Sequence, residues 1–307
     1  MKASAITAVI PLFDKAGHVA DSLESVIGQT RPPARIIVVD DGSTDGGDRI
    51  VEQLGRPDVL LLRQPNAGPG AARNRGLALA QTSHVAFLDA DDLWLPDHLE
   101  GLEALVAAHP GLPLYANRLG AFGEPAGPAA SVGAIADYAA AWLGGLVVST
   151  CAALVDREAA LAVGGFGCEA NRGEDLQLWL KLTMDSAMAI GGRVGAVYRR
   201  EASALTRRPA AGPDAAMLWI EGRLADGGLP PDRARTLAAF RARLAMLHAA
   251  DWIRSGGRAE ARAFLAMAAD AADAAMLRNL RLLAGPLWPL RGPIIGLRRL
   301  LTNGPRP

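Results

Sequence analysis

The feature that most constrains this chain is a rhythm in its first hundred residues. Short apolar runs, "AITAVI" from Ala5, "IIVV" from Ile36, "VLLLR" from Val59 and "VAFL" from Val85, alternate with stretches of helical period. Val19, Leu23, Val26 and Ile27 fall at i, i+4, i+7 and i+8, one face of a helix. Ile50, Val51 and Leu54 mark a second helix and Ala71 to Ala80 a third. A fourth runs through Leu99, Leu102 and Val106 with Pro96 in its first turn. Buried-type strands alternating with helices predict an α/β fold, a mostly parallel sheet flanked by helices. Ligands of such sheets bind beyond the carboxyl ends of the strands. Polar clusters stand at those ends: Pro11, which is expected to end the first strand, through Asp14; Asp40-Asp41; and Asp89 to Asp92. Their shared placement predicts one site.

In "VAFLDADDLW" an apolar strand runs straight into Asp89, Asp91 and Asp92. Crowded carboxylates repel unless a cation compensates them. Carboxylates are hard ligands for Mg²⁺ or Mn²⁺, which bind through one or two of them plus substrate phosphates. The bland alternative is a solvated turn with Asp92 capping the next helix. Asp41 fits either an acceptor for a nucleobase or ribose, or an Asx-turn. Arg73, in "NAGPGAARNRG", either faces a diphosphate or is a solvated helix residue; its position breaks the dinucleotide fingerprint, and no Walker lysine occurs. Glu174 and Asp175 precede the apolar run "LQLWLKL". They are either helix N-terminal charges favoured by the macrodipole or a source of a general base.

Half of the 307 residues are hydrophobic, which argues for a globular chain. Lys+Arg and Asp+Glu both number 32, so the charge balance points to no nucleic-acid partner. Cys151 and Cys168 have no metal-ligand spacing, and neither do His18, His84, His98, His109 and His248. The opening residues lack the pattern of a secretory leader, and the uncharged stretch Tyr138 to Val155 reads as buried interior rather than a membrane span. A cytoplasmic location is the expectation. The middle, Leu112 to Arg200, is less regular, with a helix expected from Leu176 to Thr183. From Pro213 the composition turns to Ala, Leu and Arg in helical stretches. This places a catalytic domain at 1–208 and a helical region at 209–307. After Asp273 the acidic residues stop, while Arg278, Arg281, Arg291, Arg298, Arg299 and Arg306 alternate with short apolar runs broken by Pro286, Pro289 and Pro293. Such a tail suits either peripheral contact with an anionic membrane face or packing on the catalytic domain or a partner.

Taken in order, "VIPLFDKAGHVADSLESVIGQT", "IIVVDDGSTDGG", "NAGPGAARNRGLALA", "FLDADDLW", "GGF" with "GEDLQLWLKL", and "VYRREASALT" resemble the inverting GT-A-type glycosyltransferases of family 2 over Ile6 to Thr206. The resemblance implies a Rossmann-like GT-A domain that moves a sugar from a nucleotide-diphosphate sugar to a carbohydrate or lipid-linked acceptor. Surface polysaccharide or glycolipid assembly is the pathway class it suggests. It implies that Pro11, Phe13, Asp41, Arg73 and Asp89 bind the nucleotide, and that Asp91 and Asp92 hold Mn²⁺ or Mg²⁺. It further implies that Asp175 is the catalytic base, with Glu174 beside it. Phe13 stands where tyrosine is more usual, Asp14 where asparagine is common, and Glu201 where many relatives carry histidine. No Q-x-x-R-W segment occurs, which argues against a processive synthase. Two competing readings are a catalytically silent nucleotide-sugar-binding subunit and a D-x-D phosphatase. The latter needs Thr or Val where Leu93 stands.

Overall fold

The computed structural model describes residues 5–121, 133–170, 172–199, 209–268 and 274–285. Two compact units form, one from 1–138 with 148–203, the other from 139–147 with 204–307. The short segment 139–147 therefore groups with the helical unit rather than with the α/β domain.

The first unit is built on a mixed sheet in the order β3-β2-β1-β4-β8-β6-β9-β5, with β7 paired to β9. Strands β1 (Ile6–Leu12), β2 (Arg35–Asp40), β3 (Val59–Arg63) and β4 (His84–Phe87) are mutually parallel. The apolar runs of β1, β2 and β4 are covered on both faces, with Ile6, Ala8, Val9, Ile10, Leu12 and Ile36 through Val39 all buried, while β3 at the edge is half-buried. Helices α1 (Val19–Ile27), α2 (Gly47–Gln53), α3 (Pro69–Leu79) and α4 (His98–Ala108) supply the cover. Helix α3 approaches β1 so closely that a Cβ on Gly76 would collide with the Val9 side chain.

The first strand runs past its expected end. Pro11 lies in register with Val39 and Leu12 with Asp40. Proline is tolerated there because its missing N–H would face β4, whose pairing with β1 stops at Val9 and Phe87. The helix after Pro96 starts two residues later than expected, at His98.

A two-residue strand β5 (Leu93–Trp94) follows the acidic corner, and the middle of the chain, expected to be less regular, supplies the rest of the sheet: β6 (Leu114–Ala121), β7 (Gly133–Ile135), β8 (Ala153–Asp156) and β9 (Met188–Tyr198). Strand β8 runs antiparallel to both β4 and β6. The sheet is thus parallel in its N-terminal half and mixed beyond it. Helices α6 (Arg157–Ala162) and α7 (Glu174–Thr183) follow β8. Within the stretch read as buried interior, Thr150 through Val155 are buried but Val147 is 68% exposed.

The second unit is helical: α8 (Ala215–Ala225), α9 (Pro231–Ser255), α10 (Arg258–Met267) and α11 (Ala274–Ala284), joined by most of α5 (Tyr138–Leu143). Trp142 stacks on Phe240 with ring centroids 4.0 Å apart. Asp214 caps α8 by accepting from Met217 N, and its other oxygen lies 2.9 Å from His248 Nε2. Among the described residues no helix is long and apolar enough to cross a membrane. Glu201 and the tail from Pro286, with Arg291, Arg298, Arg299 and Arg306, lie outside the described residues.

Candidate active site

Parallel register places the carboxyl ends of β1, β2, β3 and β4 on one edge of the sheet, and the loops leaving those ends build the site. After β1, Phe13 is 44% exposed and Asp14 takes a left-handed φ of 47°. Asp and Asn adopt that region more readily than bulkier residues do. Hydrogen bonds hold it there: Thr44 N donates to Asp14 Oδ1 at 2.8 Å and Asp14 N donates to Ser43 Oγ at 3.1 Å. Ala16 N also donates to Asp45 Oδ2. The loops after β1 and β2 are thereby sewn together.

Asp41 is buried and fully engaged: Gln64 Nε2 and Ala67 N donate to Oδ1, and Gly68 N to Oδ2. Its carboxylate clamps the glycine-rich loop that leads into α3. Asp40 Oδ1 accepts from Ser43 N, three residues on, which holds the turn after β2.

Arg73, from α3, is 4% exposed, which excludes the solvated-helix reading. Its Nη2 donates to Asp89 Oδ1 at 2.6 Å and its Nη1 to Glu174 Oε1 at 2.7 Å, and its Cζ lies 5.5 Å over the Phe166 ring. Burial alone would favour the neutral form, but Asp89 and Glu174 more than offset it, so the guanidinium stays charged.

The three aspartates after β4 separate in space. Asp89 pairs with Arg73. Asp91 pairs at 2.5 Å with Lys15, a residue that no motif singles out. Asp92 is 1% exposed and accepts from the Cys151 thiol at 2.8 Å and from Arg199 N at 3.0 Å. Burial, then the Asp89 charge, pushes the Asp92 carboxyl up to about 7. Burial raises the Cys151 thiol well above its ordinary range, with Asp89 and Asp92 adding to it.

Ligand atoms of Asp89, Asp92 and Cys151 lie within 4.8 Å of one another, so these residues could share an ion. The two carboxylates fit a hard divalent cation, while the protonated thiol serves Asp92 as a hydrogen-bond donor. Linear spacing sets Cys151 aside, because it cannot register a residue that arrives from the short 3₁₀ turn, Thr150–Ala152, ahead of β8.

Glu174 and Asp175 open α7. Glu174 is turned to Arg73. Asp175 Oδ1 accepts from Leu176 N, and Thr150 Oγ1 is 3.4 Å from Oδ2, a long contact that leaves this oxygen the less engaged. Burial first, then the neighbouring Glu174 charge, pushes the Asp175 carboxyl up to about 7. Tyr138, fully buried, feels the Asp175 charge as well.

A family model described as Glycosyl transferase family 2 matches residues 7–127, from β1 through β6 and the acidic corner. Over those residues, about two fifths of the chain, the sequence is similar to glycosyl transferase family 2 domains. The succinoglycan biosynthesis protein ExoW of Rhizobium meliloti (strain 1021) is 43% identical to it over 100 residues, 31% of this chain and 31% of ExoW. The chain thus spans about a third of the length of that curated relative. Among solved structures, S. aureus TarS 1-349 in complex with UDP-GlcNAc superposes with a TM-score of 0.65 at 18% identity, over 97% of this chain and 89% of that 1-349 chain. The mannosyltransferase PcManGT from Pyrobaculum calidifontis in complex with GDP-Man and Mn²⁺ superposes with a TM-score of 0.58 at 20% identity, covering 98% and 86%. At these identities the likeness establishes the fold, the mixed α/β GT-A architecture with a helical C-terminal part.

Proposed function

We propose that this chain is an inverting, non-processive family 2 glycosyltransferase that moves a sugar from a nucleotide-diphosphate sugar to a hydroxyl of a carbohydrate or lipid-linked acceptor. Assembly of a surface polysaccharide is the setting that the likeness to ExoW supports. One observation carries the reading: Asp175, a half-buried carboxyl raised to about 7, sits beside Glu174, which Arg73 links to Asp89 at the acidic corner. A donor corner and a base are thereby joined in one line of contacts.

The roles come from charge and position. Exposed Phe13 and the loop clamped by Asp41 offer a platform for the nucleobase. Bound at Asp89 and Asp92, with Asp91 beside them, Mn²⁺ or Mg²⁺ would supply positive charge against the leaving diphosphate. Lys15 and Arg73 bring fixed positive charge to the same edge. Asp175, with a pKa near neutrality, is suited to take the proton from the acceptor hydroxyl. A base opposite the leaving group allows a single displacement, which inverts the anomeric centre.

The experiment is a thermal-shift screen of UDP-, GDP- and dTDP-sugars with Mn²⁺, with and without EDTA, followed by a nucleoside diphosphate release assay. A true donor at 100 times its dissociation constant stabilises by about 2.7 kcal/mol. The reading predicts at least one metal-dependent hit whose diphosphate is released when acceptor is added. Failure of every sugar nucleotide to stabilise the protein with any divalent ion would contradict it.

A further inference from the structure

Helix α3 touches both halves of the site. From Arg73 it reaches Asp89 and Glu174. From Asn74 it grips the segment that leads to the base: Asn74 Nδ2 donates to Phe166 O at 2.8 Å, and Phe166 N donates to Asn74 Oδ1 at 2.8 Å. This pair replaces a strand ladder with one side chain. The backbones meet closely as well, since a Cβ on Gly70 would lie 2.5 Å from Gly167 O, and one on Gly165 would collide with Asn74 Oδ1. Phe166 itself is buried, edge-on to Phe87 of β4 at 5.0 Å and to Trp179 of α7 at 6.1 Å.

We propose that Asn74 and Glu174 are positioning residues: Asn74 fixes Phe166, Glu174 fixes the first turn of α7 to Arg73, and together they set where Asp175 meets the acceptor relative to the donor corner. The inference rests on the reading of Asp175 as the base. Glu174 is then not an alternative base, because its carboxylate is committed to a buried guanidinium 2.7 Å away. Asn74 touches no reacting atom and acts through the backbone at Phe166, on the side of α3 that faces the residues ahead of α7. Small displacements of a base matter disproportionately, because proton transfer requires hydrogen-bond reach.

The test uses the full chain and Asn74→Ala. Metal-dependent affinity for a nucleoside diphosphate, measured by calorimetry, should stay within about threefold, while kcat for transfer falls roughly tenfold or more at nearly unchanged donor KM. Asn74→Asp, which retains the acceptor for Phe166 N and loses the donor, should fall between; with Glu174→Gln it carries the test if the alanine variant does not fold. A kcat within about twofold of wild type, or equal losses of transfer and diphosphate binding, overturns the proposal. Asp175→Asn run alongside separates the two failures. If that variant keeps full transfer, the base reading is wrong; if it loses transfer while Asn74→Ala does not, only the positioning inference falls.

Discussion

On the donor side of the site, backbone register does the placing: β1, β2 and β4 are parallel neighbours, so Phe13, Asp41 and Asp89 reach one edge because their strands do. On the base side, Asp175 sits at the start of α7 after a loop, and side chains from another element hold that loop. A sheet ladder spreads its load over many bonds and resists single substitutions. A loop held by a few side-chain contacts, those of Asn74 and Arg73 and of Gln177 with Glu169 among them, does not. The donor half should therefore fail through loss of its charged ligands, and the base half through loss of geometry at full donor affinity.

The two halves meet at Asp89, and the largest effect is expected there. Asp89→Ala should lower transfer by roughly a hundredfold or more, the scale of losing a charged group aimed at the transition state. It also leaves Arg73, 5% exposed at its side chain, with one carboxylate instead of two. Unlike Asn74→Ala, it should weaken nucleoside diphosphate binding. Calorimetry with Mn²⁺ checks this, and unchanged affinity would remove Asp89 from the donor corner.

The next effect is pH dependence, which at saturating Mn²⁺, where a bound cation keeps Asp92 ionised, belongs to the base half. Only the ionised form of a base accepts a proton, so kcat/KM should rise through about 7 and level off above it, where Asp175 is charged. At pH 6 the rate should be about tenfold below the plateau, the ionised fraction expected one unit below the pKa. Glu174→Gln removes a like charge and should move the limb to lower pH. Stability runs the other way. The folded Asp175 carboxyl holds its proton more tightly than its unfolded value of 3.8, so its stabilising contribution is full below that value and is lost as pH rises towards about 7. Thermal melts between those limits should show a shallower pH slope in Asp175→Asn.

A smaller effect concerns the packing that braces the donor half. Gly76→Ala drives a methyl group into Val9 and should cost about 1–3 kcal/mol in denaturant unfolding, with the site chemistry otherwise intact. The smallest is Arg193→Ala in β9, whose pair with Asp97 is exposed at both ends and should shift stability by less than about 1 kcal/mol.

The parallel half was legible in the sequence because uninterrupted apolar strands leave a plain signature, and because three of their ends carried acidic or turn residues. The mixed half was not. Strand β9 carries Gly191, Gly192 and Gly195 with Arg193 among its apolar residues, and β6 carries Asn117 and Arg118. Neither gives a clean alternation or a continuous run, and their pairing comes from neighbours far away in the chain. Asp175 could be picked out as a candidate because a carboxylate pair precedes an apolar helix. Lys15, Asn74, Thr150 and Cys151 could not, since each acquires its meaning from a partner between 25 and 92 residues away. One hint for Asn74 was present, its place beside Arg73 in the turn of α3 that faces the site.

If the donor and base halves are separate in function, Asp175 acts on the acceptor and not on the donor. The most direct measurement is Asp175→Asn assayed twice on the same preparation, for metal-dependent nucleoside diphosphate affinity and for sugar transfer. Affinity should stay within about threefold of wild type while transfer falls by roughly a hundredfold or more, the upper range for loss of a general base. Transfer near the wild-type rate, or transfer and affinity lost together, would contradict that separation.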